Sequence, residues 1–287
     1  TEIYTLSLHD ALPISTDEIG YYAVHINAND IATSGAKPLW FQATILLPEE
    51  KSDEKMCEKI MQDIAFECES LGIEVIGGHT EVTIGLSRPI VVGSMLGEVD
   101  KAQLITSMGG KPGDALILTK GIVLEGTSII AREKEQELID KGISMDLIEK
   151  GKQYLHTPGI SIVKEAQLVY EKFQVHAMHD PTEGGLAMGI VELASNSNCG
   201  ARIDFRKIPF IEGAKEFCAA FGLDPLRTIA SGALLLTVAS QDASEVVSFL
   251  SKNKINAAII GHLTNQPNEF LIENLEQKAI PDRKSVG

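Results

Sequence analysis

Carboxylates set beside glycines or helix ends recur along this chain, and that pairing is what a phosphate-and-metal site requires. The richest instance is His179-Asp180-Pro181-Thr182-Glu183-Gly184-Gly185-Leu186-Ala187. The apolar run Val175 to Met178 precedes it as a strand end, and Leu186 to Ala194 follows as a helix. Paired glycines in such a turn let the backbone approach a ligand closely and bare the first helical N–H groups to an anion. A carboxylate just before them, Asp180, can hold the divalent cation that accompanies a nucleotide, because hard cations take oxygen ligands. Two further stretches follow the same logic: Asn29-Asp30 at a helix end, and Gly77-Gly78-His79-Thr80-Glu81 as a turn after a strand. Each alone also fits an ordinary capped turn. Their repetition carries the reading of a nucleotide-metal site. Lys120-Gly121, after another strand, could touch a phosphate, or be an exposed turn.

Other chemistries are excluded by missing patterns. His79 has no second histidine at zinc spacing, so a zinc centre is rejected. It stays open between a hydrogen-bonded structural residue and a ligand. No Gly-x-x-x-x-Gly-Lys-Ser/Thr, Gly-x-Gly-x-x-Gly or Gly-x-Ser-x-Gly occurs, which removes the P-loop, Rossmann and serine-hydrolase readings.

The elements that must position these residues alternate between helix and strand. Residues 19–31 suit a buried helix, stopped by Gly35 and Pro38. Leu39 to Leu47 reads as a strand. From Glu49 to Leu71, Met56, Ile60, Ile64, Cys68 and Leu71 recur at helical spacing, with Gly72 as C-cap. Ile73 to Ile76 reads as a short strand, and Ile90 to Val99 as a longer one with Gly93 and Gly97 as weak points. The break in composition at Gly109-Gly110-Lys111-Pro112-Gly113-Asp114 marks a domain boundary. Beyond it, Ala115 to Thr119 is a strand, and Leu124 to Leu138 and Met145 to Tyr154 are helices. His156-Thr157-Pro158-Gly159 caps another helix running to Phe173. Ala201 to Phe205 and Ala233 to Ala239 are strands, Ala243 to Asn253 is a helix, and Ile255 to Leu263 and Glu269 to Glu273 are strands. The expectation is an α/β chain of two layers, each a mixed sheet backed by helices.

The formal net charge of -15 argues against nucleic acid and anionic membrane surfaces as partners. No apolar run reaches the roughly 20 residues of a membrane span. Cys57, Cys68, Cys199 and Cys218 form no C-x-x-C pair, which fits reduced thiols in a cytoplasmic protein. Residues 1–15 read as a non-native, adapter-like leader and 283–287 as a similar tail, so neither enters the fold reasoning. The domains expected are 16–108, cut at its start, and 109–282.

Taken in order, Asn27-Ala28-Asn29-Asp30-Ile31-Ala32, Gly35-Ala36-Lys37-Pro38, Gly77-Gly78-His79-Thr80, Pro112-Gly113-Asp114 and Asp180-Pro181-Thr182-Glu183-Gly184-Gly185-Leu186 resemble the aminoimidazole ribonucleotide (AIR) synthase superfamily. The likeness runs from about Asp17 to Leu271 and is nearest to hydrogenase maturation factors of the carbamoyl dehydratase type. It implies the PurM-like α/β (α+β) fold: an N-terminal domain that pairs across a homodimer into a β-barrel, and a C-terminal α/β domain. ATP with Mg2+ would lie between the domains and phosphorylate an amide-type oxygen or another small-molecule acceptor, turning it into a leaving group. Carried over, Asp30 and Asp180 would bind metal, with Glu81 as a substitute oxygen ligand. Asn29, Gly77, Gly78, His79, Thr80, Lys120, Gly121, Gly184 and Gly185 would contact the nucleotide. Asp180, Thr182 and Glu183 would carry the catalysis. A maturation-protein partner is implied too.

Three departures matter. The family's glycine-rich N-terminal phosphate stretch is replaced by the adapter-like residues. His79 stands where several members carry Asp or Glu, and selenophosphate synthetases resemble this chain there. The last cysteine, Cys218, lies well inside the second domain, whereas the dehydratase uses a C-terminal cysteine as acceptor. AIR synthase itself, thiamine monophosphate kinase and selenophosphate synthetase are the alternative activities. An ATP-binding scaffold that turns nothing over is the non-enzymatic alternative.

Overall fold

The structure, a computed structural model, describes residues 2–6 and 18–274. Residues 1 and 7–15 of the expected leader and the tail 283–287 lie outside the described residues. The chain divides into two compact units, Thr1–Ile105 with Ser161–Gln167, and Thr106–Ile160 with Leu168–Gly287.

The first unit is a four-stranded mixed sheet in the order β1-β4-β2-β3. Its strands are β1 (Glu2–Leu6), β2 (Lys37–Pro48), β3 (Glu74–Thr83) and β4 (Ile90–Val99), with helices α1 (Ile19–Thr33) and α2 (Glu54–Leu71). Helix α1 is apolar nearly all round and buried along most of its length. It lies on β4 at two glycines, where spacing matches on both elements. A Cβ on Gly93 would stand 2.6 Å from Asn27 Nδ2, and one on Gly97 2.4 Å from Ile31 Cγ2. These glycines, expected as weak points of β4, are instead the seat of the helix. Helix α2 is amphipathic; Ile60, Ile64 and Cys68 face inward, Asp53 caps its N-terminus through Met56 N–H, and Gly72 closes it at φ 68°. The caps and apolar stripe agree, so this helix is specified twice over. His25, 5% exposed, contacts Glu67 at 2.9 Å and joins α1 to α2.

Residues 2–6 pair antiparallel with β4 from Glu2↔Val99 to Leu6↔Met95. One expectation is corrected here. The stretch Gly77 to Glu81, expected as a turn, is the middle of β3, which runs parallel to β2 from Trp40↔Glu74 to Pro48↔Thr83 with a bulge between Phe41 and Gln42. The reason is close approach: a Cβ on Gly78 would meet the Ala43 carbonyl oxygen at 2.2 Å. Glycine there permits strand pairing rather than chain reversal.

The second unit holds a six-stranded sheet, order β10-β7-β9-β5-β8-β6. In chain order its elements are β5 (Ala115–Thr119), α3 (Leu124–Glu133), α4 (Glu135–Asp140) and α5 (Met145–Gln153). Then come α6 (Val163–Lys172), β6 (Val175–His179), α7 (Gly185–Asn196), β7 (Gly200–Asp204) and α8 (Ala214–Phe221). The last are β8 (Leu235–Val238), α9 (Ala243–Lys252), β9 (Ala257–Thr264) and β10 (Phe270–Glu273). The single helix expected from Leu124 to Leu138 breaks at Lys134, which leaves helical dihedrals at φ −126°. The start of α6 belongs to the first unit: Ile162 N–H donates to Asn29 Oδ1 at 2.8 Å and Gln167 Nε2 to the Ala36 carbonyl at 2.8 Å. The main core of the second unit joins Leu116 and Leu118 of β5, Leu186, Ile190 and Leu193 of α7, and Leu235 and Leu263 from β8 and β9.

Candidate functional site

In the first unit the two candidate stretches do different things. Asn29 is 1% exposed, and its carbonyl is held by Ile162 N–H. Asp30 follows in the last turn of α1, at the negative end of the helix dipole. Burial raises its carboxyl to a pKa of about 7. A carboxylate so placed is costly to charge without a cation beside it. The stretch Gly77 to Glu81 is exposed on β3, the outer strand of its sheet. His79 Nε2 and Glu81 Oε2 are 3.5 Å apart, both more than half exposed. An apolar groove of about 460 Å³ runs beside this strand, lined by Met61, Ile64 and Ala65 of α2 and by Val75 to Thr80. Helix α1 packs on α2, β4 and β2, while Gly77 to Glu81 lie on β3, beyond β2 in the sheet.

In the second unit, strand pairing gathers the remaining candidates at one edge of the sheet. Leu235 of β8 pairs with Leu118 of β5 on one side and His179 of β6 on the other. The segments that follow β5 and β6 and precede β8 therefore share that edge. These carry Lys120-Gly121, Asp180 with the acidic turn, and residues 230–234. Asp180 is 8% exposed. Thr182 is half-buried and Glu183 exposed. Lys120 adopts φ 54° and its amine reaches the Gly159 carbonyl at 3.2 Å. Gly121 is buried against residues 209–211.

The helix N-terminus after the acidic turn is not bare as expected. Ala187 N–H donates to the Leu226 carbonyl at 2.9 Å, and Gly185 N–H to the Thr182 carbonyl at 3.1 Å. A Cβ on Gly185 would meet the Thr228 and Leu226 carbonyl oxygens at 2.5 and 2.7 Å. The glycine admits the 226–228 backbone, and that backbone takes up the helical N–H group.

One group at this edge escaped the sequence reading. Glu125, in the first turn of α3, is 2% exposed, and burial lifts its carboxyl to about 7. The neighbouring Ser231 side chain works against that rise, and Oε2 has no partner among the described residues. The only signal in the sequence was a lone carboxylate between Leu124 and Gly126.

Among the described residues no three His, Cys, Asp or Glu side chains converge as a metal cage. Magnesium does not need one, because it keeps waters and substrate phosphates in its coordination shell and takes one or two protein carboxylates. Part-buried Asp30 and buried Asp180 fit that demand by charge type. None of the four cysteines stands out as an acceptor: Cys68, Cys199 and Cys218 are buried with thiols pushed up, that of Cys68 to about 12.

Comparison with known proteins bears on both units. Residues 1–99 match the family AIR synthase related protein, N-terminal domain, and residues 111–274 its C-terminal domain. The chain is 30% identical over 284 residues to a Methanocaldococcus jannaschii protein named for hydrogenase expression/formation, covering 98% of this chain and 81% of that one. It is also 30% identical over 257 residues to the carbamoyl dehydratase HypE of Rhizobium leguminosarum, covering 88% and 70%. The crystal structure of hydrogenase maturation protein HypE in complex with ATP shares the fold at TM-score 0.81 and 20% identity, over 95% of this chain and 82% of that one. A HypE-HypF complex does so at TM-score 0.73 and 23% identity, over 94% and 86%. The two-unit α/β architecture, the ordered motifs and these matches agree: the chain belongs to the AIR synthase-related family, with the PurM-like fold of its HypE members.

Proposed function

We propose that this protein is an ATP- and magnesium-dependent hydrogenase maturation factor that phosphorylates the oxygen of a carbamoyl or other amide-type acceptor. Phosphorylation transfers the γ-phosphoryl group to that oxygen, releases ADP, and lets the oxygen depart later as phosphate. Magnesium, when bound, neutralises charge on the phosphates. Of this chain's residues, Asp30 and Asp180 are the carboxylates we assign to the metal, with Glu81 as an accessory oxygen. His79, Thr80 and Lys120 supply polar contacts to phosphate, and Gly77, Gly78, Gly121, Gly184 and Gly185 backbone contacts. Thr182 and Glu183 are the polar groups we assign to the acceptor side.

The observation that carries the reading is the pair Asp30 and Asp180. Asp180 is buried and Asp30 part-buried, and Asp30 is held at about 7 by burial where a purely structural residue would be neutral at lower cost. The relatives named for carbamoyl dehydratase and hydrogenase formation supply the acceptor class, and the neighbour solved with ATP supplies the nucleotide. We place the acceptor on a maturation-protein partner, in line with the neighbour solved with HypF.

The test is phosphate release with ATP and magnesium in the presence of candidate acceptors, against Asp180→Asn. Hydrolysis that requires magnesium and disappears in the variant supports the enzyme. Hydrolysis absent from both, with ATP still bound, would favour the scaffold.

We also assign a second copy of the chain to the open edge of β3. Val75, Ile76, Val82 and Ile84 are 44–80% exposed along it. A long apolar edge is ordinarily covered. A homodimer paired there would cover it.

A further inference from the structure

Away from the acidic turn, the second unit holds a cleft with a chemistry of its own. It lies where β5 begins, whereas Lys120 and the acidic turn follow the far ends of β5 and β6. Its charges come from one short run, Arg202-Ile203-Asp204-Phe205-Arg206-Lys207. Ala201 and Ile203 of β7 turn into the core that α7 packs on, so Arg202 between them stands on the opposite face of the sheet. On that face His262 of β9 is in register with Arg202 on one side and Ala115 of β5 on the other. The cleft over this row encloses about 480 Å³, with Lys207 at its rim and Ala243 and Ile259 adding apolar lining.

We propose that this cleft binds a small phosphomonoester: Arg202, Lys207 and His262 take the dianionic phosphate, and the apolar lining takes the group that carries it.

The cations are there and little engaged. Lys207 and His262 have no hydrogen-bond or ion-pair partner among the described residues. Lys134, Lys150 and Lys152, by contrast, each reach a glutamate. Two carboxylates also line the cleft, Asp204 and Glu273. Asp204 is already taken, by Arg206 Nε at 3.3 Å, the Arg206 N–H at 3.2 Å and Asn274 Nδ2 at 2.9 Å. Glu273 stands 3.6 Å from Arg202 Nε, too far for a hydrogen bond, so the guanidinium keeps its donors for a ligand. Arg202 and His262 face each other across two strands. When His262 is protonated that pairing of like charges is unfavourable, and an anion held by both removes the cost. A guanidinium fork matches phosphate oxygens bidentately, and a double charge competes best with the two carboxylates. The volume falls within the roughly 300–1,000 Å³ of small-molecule sites, more than a bare ion fills. The Ser240 hydroxyl donates to the Gly113 carbonyl and holds that side of the rim. None of these residues belongs to the proposed ATP site, so the two assignments stand or fall separately.

The test is nuclear magnetic resonance of the 15N-labelled full chain, titrated without magnesium with adenosine 5′-monophosphate and, separately, inorganic phosphate. The nucleotide is expected to shift the amides of residues 201–207 and 259–263 and to saturate below about 10 mM. Inorganic phosphate is expected to shift the same amides and bind ~10-fold or more weakly, because it leaves the apolar lining empty. Lys207→Gln and Arg202→Gln are each expected to weaken the nucleotide by ~10-fold or more. Should Arg202→Gln fail to fold, Lys207→Gln, in a turn, decides alone. Shifts confined to residues 120–121 and 180–187, no saturation, or an affinity unchanged in Lys207→Gln would overturn the proposal. Equal affinity for the two probes would overturn the assignment of an ester.

Discussion

At the scale of single residues, the argument turns on carboxyls kept where they are uncomfortable. The Asp30 carboxyl sits at about 7 against an ordinary 3.8 because of burial. Between about pH 4 and about pH 7 the folded protein keeps a proton there that the unfolded chain has released, so stability falls as pH rises through that window. Asp30→Asn is expected to remove this dependence and to stabilise the ligand-free protein above pH 7 by about 1–4 kcal/mol. The same change is expected to weaken magnesium-ATP binding by ~10–100-fold. Urea unfolding at several pH values and calorimetric titration check the two halves. A variant no more stable than wild type at high pH would show that Asp30 carries no burial cost. Asp180→Asn tests the partner carboxylate: magnesium-dependent turnover is expected to drop by ~100-fold or more while the melting temperature stays level or rises. Loss of stability in that variant, measured by thermal unfolding, would make Asp180 a structural residue. Glu125 could not be foreseen as a third such group, because a glutamate in the first turn of a helix is what the dipole favours anyway. Only burial and the unpartnered Oε2 distinguish it.

At the scale of elements, legibility followed how many independent signals agreed. Helix α2 carried an apolar stripe, an Asp cap and a terminal glycine, and it lies where those signals put it. Strand β4 and strand β5 were equally plain as bounded apolar runs. The acidic turn between β6 and α7 was read from its glycines, and it is there. What the glycines do was not readable, because Gly185 answers to residues 226–228, some forty positions away. Gly77-Gly78 was misjudged for the same kind of reason: glycine pairs signal turns locally, whereas the parallel partner β2 comes from elsewhere in the chain. Gly78→Ala is expected to place a methyl against the Ala43 carbonyl and cost ~2–4 kcal/mol, seen as a lowered denaturant midpoint. Gly142→Ala serves as the contrast: no atom stands within 4 Å of the added Cβ, and only its φ of 81° opposes the change. Its cost is expected to be ~1–2 kcal/mol. A Gly78 variant as stable as the Gly142 one would show that the β2–β3 pairing tolerates a side chain there.

At the scale of the whole molecule, the residues of the proposed nucleotide site are drawn from both units, and β3 ends the first unit's sheet. Pairing of two copies along β3 would place more than one exposed apolar side chain out of water. Ile84, 80% exposed, is the most accessible of them. Val82→Lys with Ile84→Lys is expected to shift the protein from dimer to monomer in sedimentation equilibrium, by ~10-fold or more in the dissociation constant. An unchanged dimer would place the interface elsewhere, and a monomeric wild type would remove the assignment. No helix among the described residues is long and apolar enough to cross a membrane. The net charge of -15 sets a further demand, because a polyanionic nucleotide meets an anionic protein. On the proposed reading, magnesium supplies much of the attraction. The most direct measurement of the central claim is calorimetric titration of ATP into the protein with and without magnesium, alongside Asp180→Asn. The account predicts binding that needs magnesium and is weakened ~10-fold or more by the substitution. Binding that is equally tight without the metal, or no binding at all, would contradict it.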